Sequence, residues 1–520
     1  MTNNTQNHTN HVGATSFRRN LKEQVVQVLT TNTLSDTYYV RQNQLTDETL
    51  EVVRQMCSVD PIFLAKAIVY ARNCGYLQLV NITALAVLSQ AMDKRPFQWA
   101  FPQVIQTPDN LSEFVSICRS KRIRAGLGGV ALKMTKEWLG SLSEYHSLKY
   151  SGDSRGVSLR DCLRMAHPKP ADQAAEERFR WLVKRGDVCL NPRIAELEKL
   201  KHLKKETDII GVIRNGGLPW EVVIPAVPSM TLGVWLELMQ QMPYMALLRH
   251  LNALKRAGVF QFEEKERYVA DRLTDTVAIA KAKILPFRLF EAWKAFSATF
   301  DASRIVVSAL EQAMEASFIN MPELKGSVAI GSDVSGSMSS WVSPKGQTRY
   351  IDICGIFTAA LLKKAQERVI VLPFDWEIVE DLRIMREDSM MTTINKLASV
   401  GGGGTAVGAP IQYLLDRQIV VDTFIGITDN EDWCYGQNEC HVRGSFLDLW
   451  REYRKRVAPN ANAYLLTIDP CRCSVAPDTE PGIHFIYGWS PDVPRYIASA
   501  QSGQNQLDKV HQINYSPAQG

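Results

Sequence analysis

The stretch Gly326–Ser340, GSVAIGSDVSGSMSS, decides how the second half of the chain is interpreted. It opens with the apolar run Val328–Ile330 and then breaks into small polar residues, which is typical of a buried parallel strand followed by a loop. The loop presents Asp333, Ser335 and Ser337 at alternate positions. Because open α/β sheets bind ligands at the carboxyl ends of their strands, we expect these three side chains to face one pocket. Such hard oxygen donors suit Mg²⁺, Mn²⁺ or Ca²⁺ rather than Zn²⁺.

Two further segments supply oxygen donors to the same pocket. The run Gly401–Thr405 delivers a threonine hydroxyl from a tight turn, and the apolar run Val420–Thr428 ends at Asp429. The order and spacing of these groups resemble the metal-ion-dependent adhesion site of von Willebrand factor A domains. The resemblance implies one divalent cation, Mg²⁺ or Mn²⁺, held directly or through water by Asp333, Ser335, Ser337, Thr405 and Asp429. The alternative is a set of caps and turns rich in Ser, Thr and Asp.

Residues 322–520 alternate short apolar runs with helical patterns. The predicted strands are Val328–Ile330, Val369–Pro373, Val420–Ile427 and Ala463–Ile468, with a closing strand at Ile483–Tyr487. This alternation predicts a doubly wound, mostly parallel α/β sheet.

Residues 17–321 show apolar side chains at three- and four-residue intervals nearly throughout, which predicts an all-α region. Proline and glycine breaks divide it into many short helices, and helix pairs of this size favour an α-solenoid of HEAT-like repeats. The polar tail over 1–16 is predicted to be disordered. The fold class is therefore multidomain, with helical repeats followed by an α/β domain.

Composition narrows the class of protein. The 520 residues carry a net charge of +4, divided into 41 Lys and Arg against 32 Asp and Glu over 1–320, and 18 against 23 over 321–520. A basic first part suggests a polyanionic partner. The N-terminus lacks the apolar core of a signal peptide, and no run of about eighteen apolar residues suggests a membrane span. Scattered cysteines favour free thiols in a reducing compartment, so we expect a cytoplasmic protein without a membrane partner.

One basic cluster lies in the stretch from residue 119 to residue 138. No acidic residue interrupts it before Glu137. A solvated helix face and a phosphate-binding surface explain this run about equally well. Its cations are Arg119, Lys121, Arg122, Arg124, Lys133 and Lys136.

A second basic cluster follows over residues 149–170. Ser158 and Asp161 have the spacing of a capping box that begins a helix. On that helix Arg160, Arg164 and His167 share one outer stripe. His167 alone is explained by the helix dipole, but among these cations it reads better as a group that contacts phosphate or a base. The other cations of the cluster are Lys149, Arg155 and Lys169.

Several longer motifs resemble the Ro autoantigen, or TROVE-domain, family of RNA-binding proteins. They are SLRDCLRMAHPKP from Ser158, VWLELMQQMPYMALLRHL from Val234, KILPF from Lys283 and DVSGSM from Asp333. The resemblance implies a bacterial-type, monomeric ring of helical repeats closed by a von Willebrand A domain. Its hole would take single-stranded 3′ ends of misfolded structured RNAs, and its outer face would hold small noncoding Y RNAs. Lys149 and His167 match family residues that contact Y RNA, and an exoribonuclease is a partner in bacterial members.

Three functions remain possible at this point. The first is a noncatalytic RNA-binding ring that acts in RNA quality control. Under this function the protein is not an enzyme. The second is a metal-dependent nuclease, which needs more carboxylates than Asp333 and Asp429, and Asp432 or Glu431 would add one. The third is a metal-dependent protein-adhesion module without RNA. The basic clusters and the Ro-like helix favour the first function.

Overall fold

The computed structural model describes residues 7–9, 15–31, 42–74, 78–152, 156–184, 191–342, 347–429, 431–433, 440–468, 473–477, 480–487 and 506–517. The chain forms two compact units. The first comprises Met1–Val80, Ile279–Lys294 and Glu311–Asn514, and the second comprises Asn81–Ala278, Ala295–Leu310 and Tyr515–Gly520. Along the chain the helices come before the parallel sheet, as predicted. In space, however, residues 1–80 belong to the same compact unit as the sheet. The linear domain boundary at 321/322 stays a prediction.

Helices dominate the first part of the chain. Among the described residues up to Ser317 there are nineteen α-helices, α1 to α19. In order they are Leu21–Thr31, Gln42–Val59, Pro61–Cys74, Leu79–Leu88, Arg95–Val104, Pro108–Arg119, Gly128–Gly140, Glu144–Lys149, Leu159–Ala166, Gln173–Lys184, Pro192–Leu200, Glu206–Asn215, Trp220–Ala226, Leu232–Gln241, Tyr244–Arg256, Glu263–Thr274, Thr276–Ala282, Pro286–Ser297 and Arg304–Ser317. Among the residues that the structure describes, short 3₁₀ helices lie at Val259–Gln261 and Phe318–Asn320, and another lies in the second part of the chain at Gly336–Ser339.

The second unit is built from helices that pack against close neighbours in the chain. Helix α9 contacts α6, α7 and α10, and α11 contacts α12 and α13. Helix α6 begins where the Thr107 side chain accepts a hydrogen bond from the Asn110 amide and Pro108 takes the first helical position. Burial of Phe97, Phe101 and Phe114, with ring centroids 5.3–6.0 Å apart, holds α5 and α6 together. The predicted all-α region is confirmed.

The first unit contains the predicted parallel sheet. Its strands are Val328–Asp333 (β3), Val369–Phe374 (β4), Thr423–Thr428 (β5), Asn462–Thr467 (β6) and Ile483–Tyr487 (β8). They pair in parallel in the order β4-β3-β5-β6-β8. The chain moves from β3 to β4 on one side and then to β5 on the other, so the order reverses beside β3. The carboxyl ends of β3 and β5 therefore flank the crevice where such sheets bind ligands.

Apolar burial explains why this sheet forms. Every residue of β3 and of β5 is buried, as expected for central strands covered on both faces. Gly331 is required by packing, because a Cβ there would lie 2.9 Å from the Phe424 ring. The helices of this part are Tyr350–Lys364 (α20), Met390–Ala398 (α21), Ala409–Asp416 (α22), Phe446–Arg456 (α23) and Gln506–Gln512 (α24).

The tail predicted to be disordered over 1–16 is corrected for its described residues. Asn7–Thr9 (β1) pairs antiparallel with Thr15–Arg18 (β2), and β2 pairs with Cys473–Ser474 (β7). The partner strand β7 lies more than 450 residues away in sequence, so no local pattern in the tail could predict this pairing.

Both ends of the chain contribute to the first unit. Helix α24 packs against α1 and α3, and α1 also contacts β8. The Lys66 ammonium donates a hydrogen bond to the His511 carbonyl at 2.9 Å, and the rings of Phe63 and His511 lie 5.2 Å apart. Over the ranges that the structure describes, no helix is both long and apolar enough to cross a membrane.

Candidate functional site

The five predicted metal ligands lie in three segments that meet at one edge of the sheet. Asp333 ends β3, Asp429 follows β5, and all five side chains are buried. The Gly336 amide donates to the Gly403 carbonyl at 3.0 Å, which joins the loop after β3 to the glycine run. The Trp433 amide donates to the Thr405 carbonyl at 3.1 Å, which joins that run to the loop after β5. The predicted convergence of the three segments is present, whereas the metal itself stays a prediction.

Local hydrogen bonds arrange the Asp-x-Ser-x-Ser loop. The Ser335 amide donates to Asp333 Oδ1 at 2.9 Å, and Thr428 Oγ1 donates to Asp333 Oδ2 at 2.6 Å. The hydroxyl oxygens of Ser335 and Ser337 are 3.2 Å apart. Gly401 has φ +74°, and a Cβ there would lie 2.3 Å from the Val334 carbonyl oxygen, so only glycine fits this close approach.

The electrostatics of this edge favour a bound cation. Burial raises the pKa of Asp333 to about 6, against the lowering effect of its hydrogen bonds from Ser335 and Thr428, and Asp375 raises it further. No Lys, Arg or His of the described residues forms an ion pair with Asp333. A desolvated carboxylate beside three hydroxyl donors fits a hard divalent cation. The described residues contain no group of three or more His, Cys, Asp or Glu that could hold a metal, so the hydroxyls are indispensable to the set.

Sequence reasoning missed Asp375, which directly follows β4. Its Oδ2 accepts a hydrogen bond from the Gly403 amide at 3.2 Å, and its carbonyl accepts one from Ala406 at 2.8 Å. Asp375 therefore holds the glycine run that carries Thr405. The sequence signal that could have identified Asp375 is its place at the carboxyl end of the predicted strand Val369–Pro373, where parallel sheets bind ligands.

Asp432, one of the further carboxylates considered for a nuclease, is buried and accepts hydrogen bonds from two backbone amides. Burial raises the pKa of Asp432 to about 7, against the lowering effect of backbone hydrogen bonds. Its two carboxylate oxygens accept these bonds from the amides of Val407 at 3.0 Å and Phe446 at 3.4 Å. These contacts tie the start of α22 to the start of α23, which is a structural role.

The first basic cluster is mostly exposed. Arg119 ends α6, and the turn after it is closed by the Lys121 amide, which donates to the Arg124 carbonyl at 3.1 Å. Arg124 is half-buried and donates to Ser89 Oγ at 2.7 Å, so it braces the turn. Lys133 lies 3.9 Å from Glu137. The cations whose side chains are exposed are Arg119, Lys121, Arg122, Lys133 and Lys136.

The second basic cluster is organised by α9. The predicted capping box is confirmed, because Ser158 Oγ accepts from the Asp161 amide and Asp161 Oδ2 accepts from the Ser158 amide at 2.9 Å. Arg164 and His167 are exposed, and Arg160 is half-buried. His167 lies one position beyond the helix, in the left-handed region with φ 47°. The predicted helical stripe is therefore corrected: it holds for Arg160 and Arg164, whereas His167 follows the end of α9.

The remaining facts on the second basic cluster concern Lys169, Arg155 and the anchoring of Arg164. Lys169 is exposed, and Arg155 lies outside the described residues. Arg164 Nη2 donates to the Val183 carbonyl at 3.0 Å, which anchors the exposed guanidinium against α10.

Lys149 lies within an aromatic cluster that the sequence reasoning did not identify. Its ammonium is 3.2 Å from Tyr145 Oη, 3.9 Å from Glu221, and 5.4 Å from the ring centroids of both Tyr145 and Tyr150. The His146 ring stacks on Trp138 at 6.4 Å. Burial and the charge of Lys149 lower the pKa of His146, so its ring is neutral at pH 7. Half-buried aromatic rings beside cations are typical of surfaces that stack unpaired bases.

Known families match both parts of the chain. The TROVE domain family matches residues 220–304, and the Ro60 vWA domain family matches residues 327–500. The chain carries a TROVE domain and a Ro60-type vWA domain. The matched TROVE segment lies after both basic clusters, so their assignment rests on the motifs and on the structure.

Ro relatives align over most of this chain. "RNA-binding protein RO60" of Caenorhabditis elegans is 24% identical over 483 residues, covering 78% of this chain and 72% of the relative. "RNA-binding protein RO60" of Deinococcus radiodurans is 27% identical over 372 residues, covering 66% of this chain and 67% of the relative. The crystal structure of the Deinococcus radiodurans Ro (RSR) protein has a TM-score of 0.69 at 19% identity, covering 93% of this chain and 99% of that one. The Ro fold predicted from the motifs is confirmed.

Proposed function

We propose that this protein is a noncatalytic RNA-binding protein of the Ro family that acts in RNA quality control or processing. It binds small noncoding Y RNAs through the exposed face of α9 and single-stranded 3′ ends of misfolded structured RNAs. The observation that carries the proposal is the exposed pair Arg164 and His167 at the end of a capped helix. This helix packs against α7, which carries Trp138 of the aromatic cluster. The RNA-binding names of the relatives support it.

Cations and aromatic rings have separate tasks in such a surface. Arg and Lys contacts to phosphates supply affinity without reading sequence, and they make binding weaken steeply with salt. The rings of Trp138, His146 and Tyr150 offer flat surfaces to unpaired bases. This combination favours structured RNA with exposed loops over a regular duplex.

The metal centre serves a protein contact in this proposal. Asp333, Ser335, Ser337, Thr405 and Asp429 would hold one Mg²⁺ or Mn²⁺. A cation held there among mostly neutral donors would supply an electrophilic centre for an acidic side chain of a partner protein. The family resemblance names an exoribonuclease as a candidate partner. Because this edge of the sheet also permits adhesion without RNA, the ratio of absorbance at 260 and 280 nm of the purified protein distinguishes the two functions.

A gel-shift titration tests the RNA proposal directly. One hairpin is prepared with a single-stranded 3′ tail and in blunt form, and both are titrated at two salt concentrations. The tailed RNA should bind better, because the narrow ring that the resemblance predicts admits a strand and excludes a duplex. Equal affinity for both forms would contradict the proposed preference for free 3′ ends.

A further inference from the structure

A cavity of about 500 Å³ lies within the second unit and is lined by residues of α8, α10, α11 and α13. Its apolar lining includes the buried side chains of Leu148, Leu182, Leu197 and Val222. The volume is in the range of pockets that enclose small ligands. Apolar walls of this kind suit a flat, largely apolar ligand such as a nucleobase.

A fixed carboxylate supplies the polar feature of this cavity. Glu198 Oε1 accepts hydrogen bonds from Trp181 Nε1 at 2.9 Å and from Lys201 Nζ at 2.6 Å. Although burial acts to raise the pKa of Glu198, these two donors lower it below its ordinary value, so the carboxylate is ionised at neutral pH. Within the described part of the chain, Oε2 accepts no hydrogen bond.

Two ammonium groups accompany the carboxylate. Lys149 and Lys201 both line the cavity, and their side chains are 30% and 37% exposed. Because both are partly exposed, a phosphate can reach them and replace their present acidic partners, Glu221 for Lys149 and Glu198 for Lys201. When the Lys201 ammonium moves from Glu198 to a phosphate, both carboxylate oxygens have a lone pair available for a ligand.

One helix takes part in both the cavity and the proposed RNA surface. Arg164, on the exposed stripe of α9, donates its hydrogen bond to the carbonyl of Val183. Val183 directly follows Leu182, whose side chain lines the cavity. Helix α10 therefore both accepts the hydrogen bond of Arg164 and lines the cavity with Leu182.

We propose that this cavity takes one unpaired guanosine of a bound RNA. The proposal deepens the RNA-binding function above and rests on it. Guanine alone among the four bases presents two adjacent donors, N1–H and the N2 amino group, on one edge, and a carboxylate accepts both. Glu198 reads these donors, the apolar walls cover the base, and Lys149 and Lys201 contact the flanking phosphates.

The test uses the full chain and four hairpins that differ only in one unpaired nucleotide, G, A, C or U. Binding is measured by fluorescence anisotropy at one salt concentration. The parent should bind the G hairpin about tenfold more tightly than the others, the discrimination expected of one paired contact. Glu198→Gln should reduce this preference below twofold, because the amide offers a donor where the base needs an acceptor, yet it can still accept from Trp181. Glu196→Gln, a half-buried neighbour on the same helix, is the matched control and should bind like the parent.

A second variant and a second ligand provide two further tests of the cavity. Ala226→Phe places a ring in the cavity from α13 and should remove the preference for G while binding to the other three hairpins is kept. Guanosine monophosphate, measured by calorimetry, should bind the parent and not either cavity variant. Equal affinity of the parent for all four hairpins would overturn the cavity proposal and leave RNA binding intact. Failure to bind any hairpin would overturn the RNA-binding function and the guanosine site together.

Discussion

Replacing Asp333 with asparagine is expected to stabilise the metal-free protein near neutral pH. The carboxyl is fully buried, and its pKa of about 6 lies above the ordinary value of 3.8. The difference corresponds to roughly 3 kcal/mol of unfolding free energy, lost when the buried group ionises. Asparagine keeps the local contacts, because its Oδ1 accepts from the Ser335 amide and its Nδ2 donates to Thr428 Oγ1.

The sign of the pH dependence follows from the direction of the shift. Because the folded carboxyl binds its proton more tightly than the unfolded one, the free energy of unfolding falls as pH rises from about 4 to about 6. Above about pH 6 the free energy of unfolding stays lowered by the full amount of roughly 3 kcal/mol. In EDTA at pH 7.5 the Asp333→Asn variant should therefore exceed the parent by up to roughly 3 kcal/mol, and at pH 5 by about half as much.

Calorimetric unfolding of parent and variant at both pH values measures this difference. Adding Mg²⁺ should then stabilise the parent, whose carboxylate gains a cation, and leave the variant unchanged. Asp422→Asn is the matched control on the same sheet. Hydrogen bonds from Ser327 lower the pKa of Asp422, so this substitution should destabilise the protein at pH 7.5. Equal stability of Asp333→Asn and parent in EDTA at both pH values would refute the reasoning, as would equal stabilisation of both by Mg²⁺.

Three further predictions concern RNA and the helix that presents it. The double variant Arg164→Ala, His167→Ser should lose binding to small structured RNA in gel shifts, whereas exposed Arg180→Ala should bind like the parent. The single variant Arg164→Ala should keep measurable binding with a log–log salt slope lowered by about 0.7 to 0.9, the value for one lost phosphate contact. Ser158→Ala removes the cap of α9 and should lower the unfolding free energy by about 1 kcal/mol in urea titrations, and unchanged stability would count against the capping box. The pure protein should not cleave RNA with Mg²⁺ or Mn²⁺ present, and cleavage that survives repurification but disappears in Asp429→Ala would show that the centre is catalytic.

Local patterns in the sequence were enough to predict the elements that carry the proposed sites. The run of β-branched residues before Asp333 predicted a strand, and burial of every residue of β3 confirms it. Ser158 and Asp161 predicted the start of α9, because a capping box depends only on residues three positions apart. The convergence of the segments that carry Asp333, Thr405 and Asp429 could also be predicted, since parallel strands bring their carboxyl ends to one edge whatever the intervening chain does. The cation itself stays a prediction.

Tertiary structure decided what depends on contacts between distant segments. The N-terminal tail reads as polar and featureless, yet β2 pairs with β7 at the far end of the chain. Glu221 meets Lys149 and Tyr145, and Asp375 holds the glycine run, across separations that no periodicity encodes. Helical and strand periods report which face of an element is buried, but they carry no information about which other element covers it. For that reason the sequence identified the strands, helices and ligand-bearing loops of this protein, whereas the partners of those elements became known only from the folded chain.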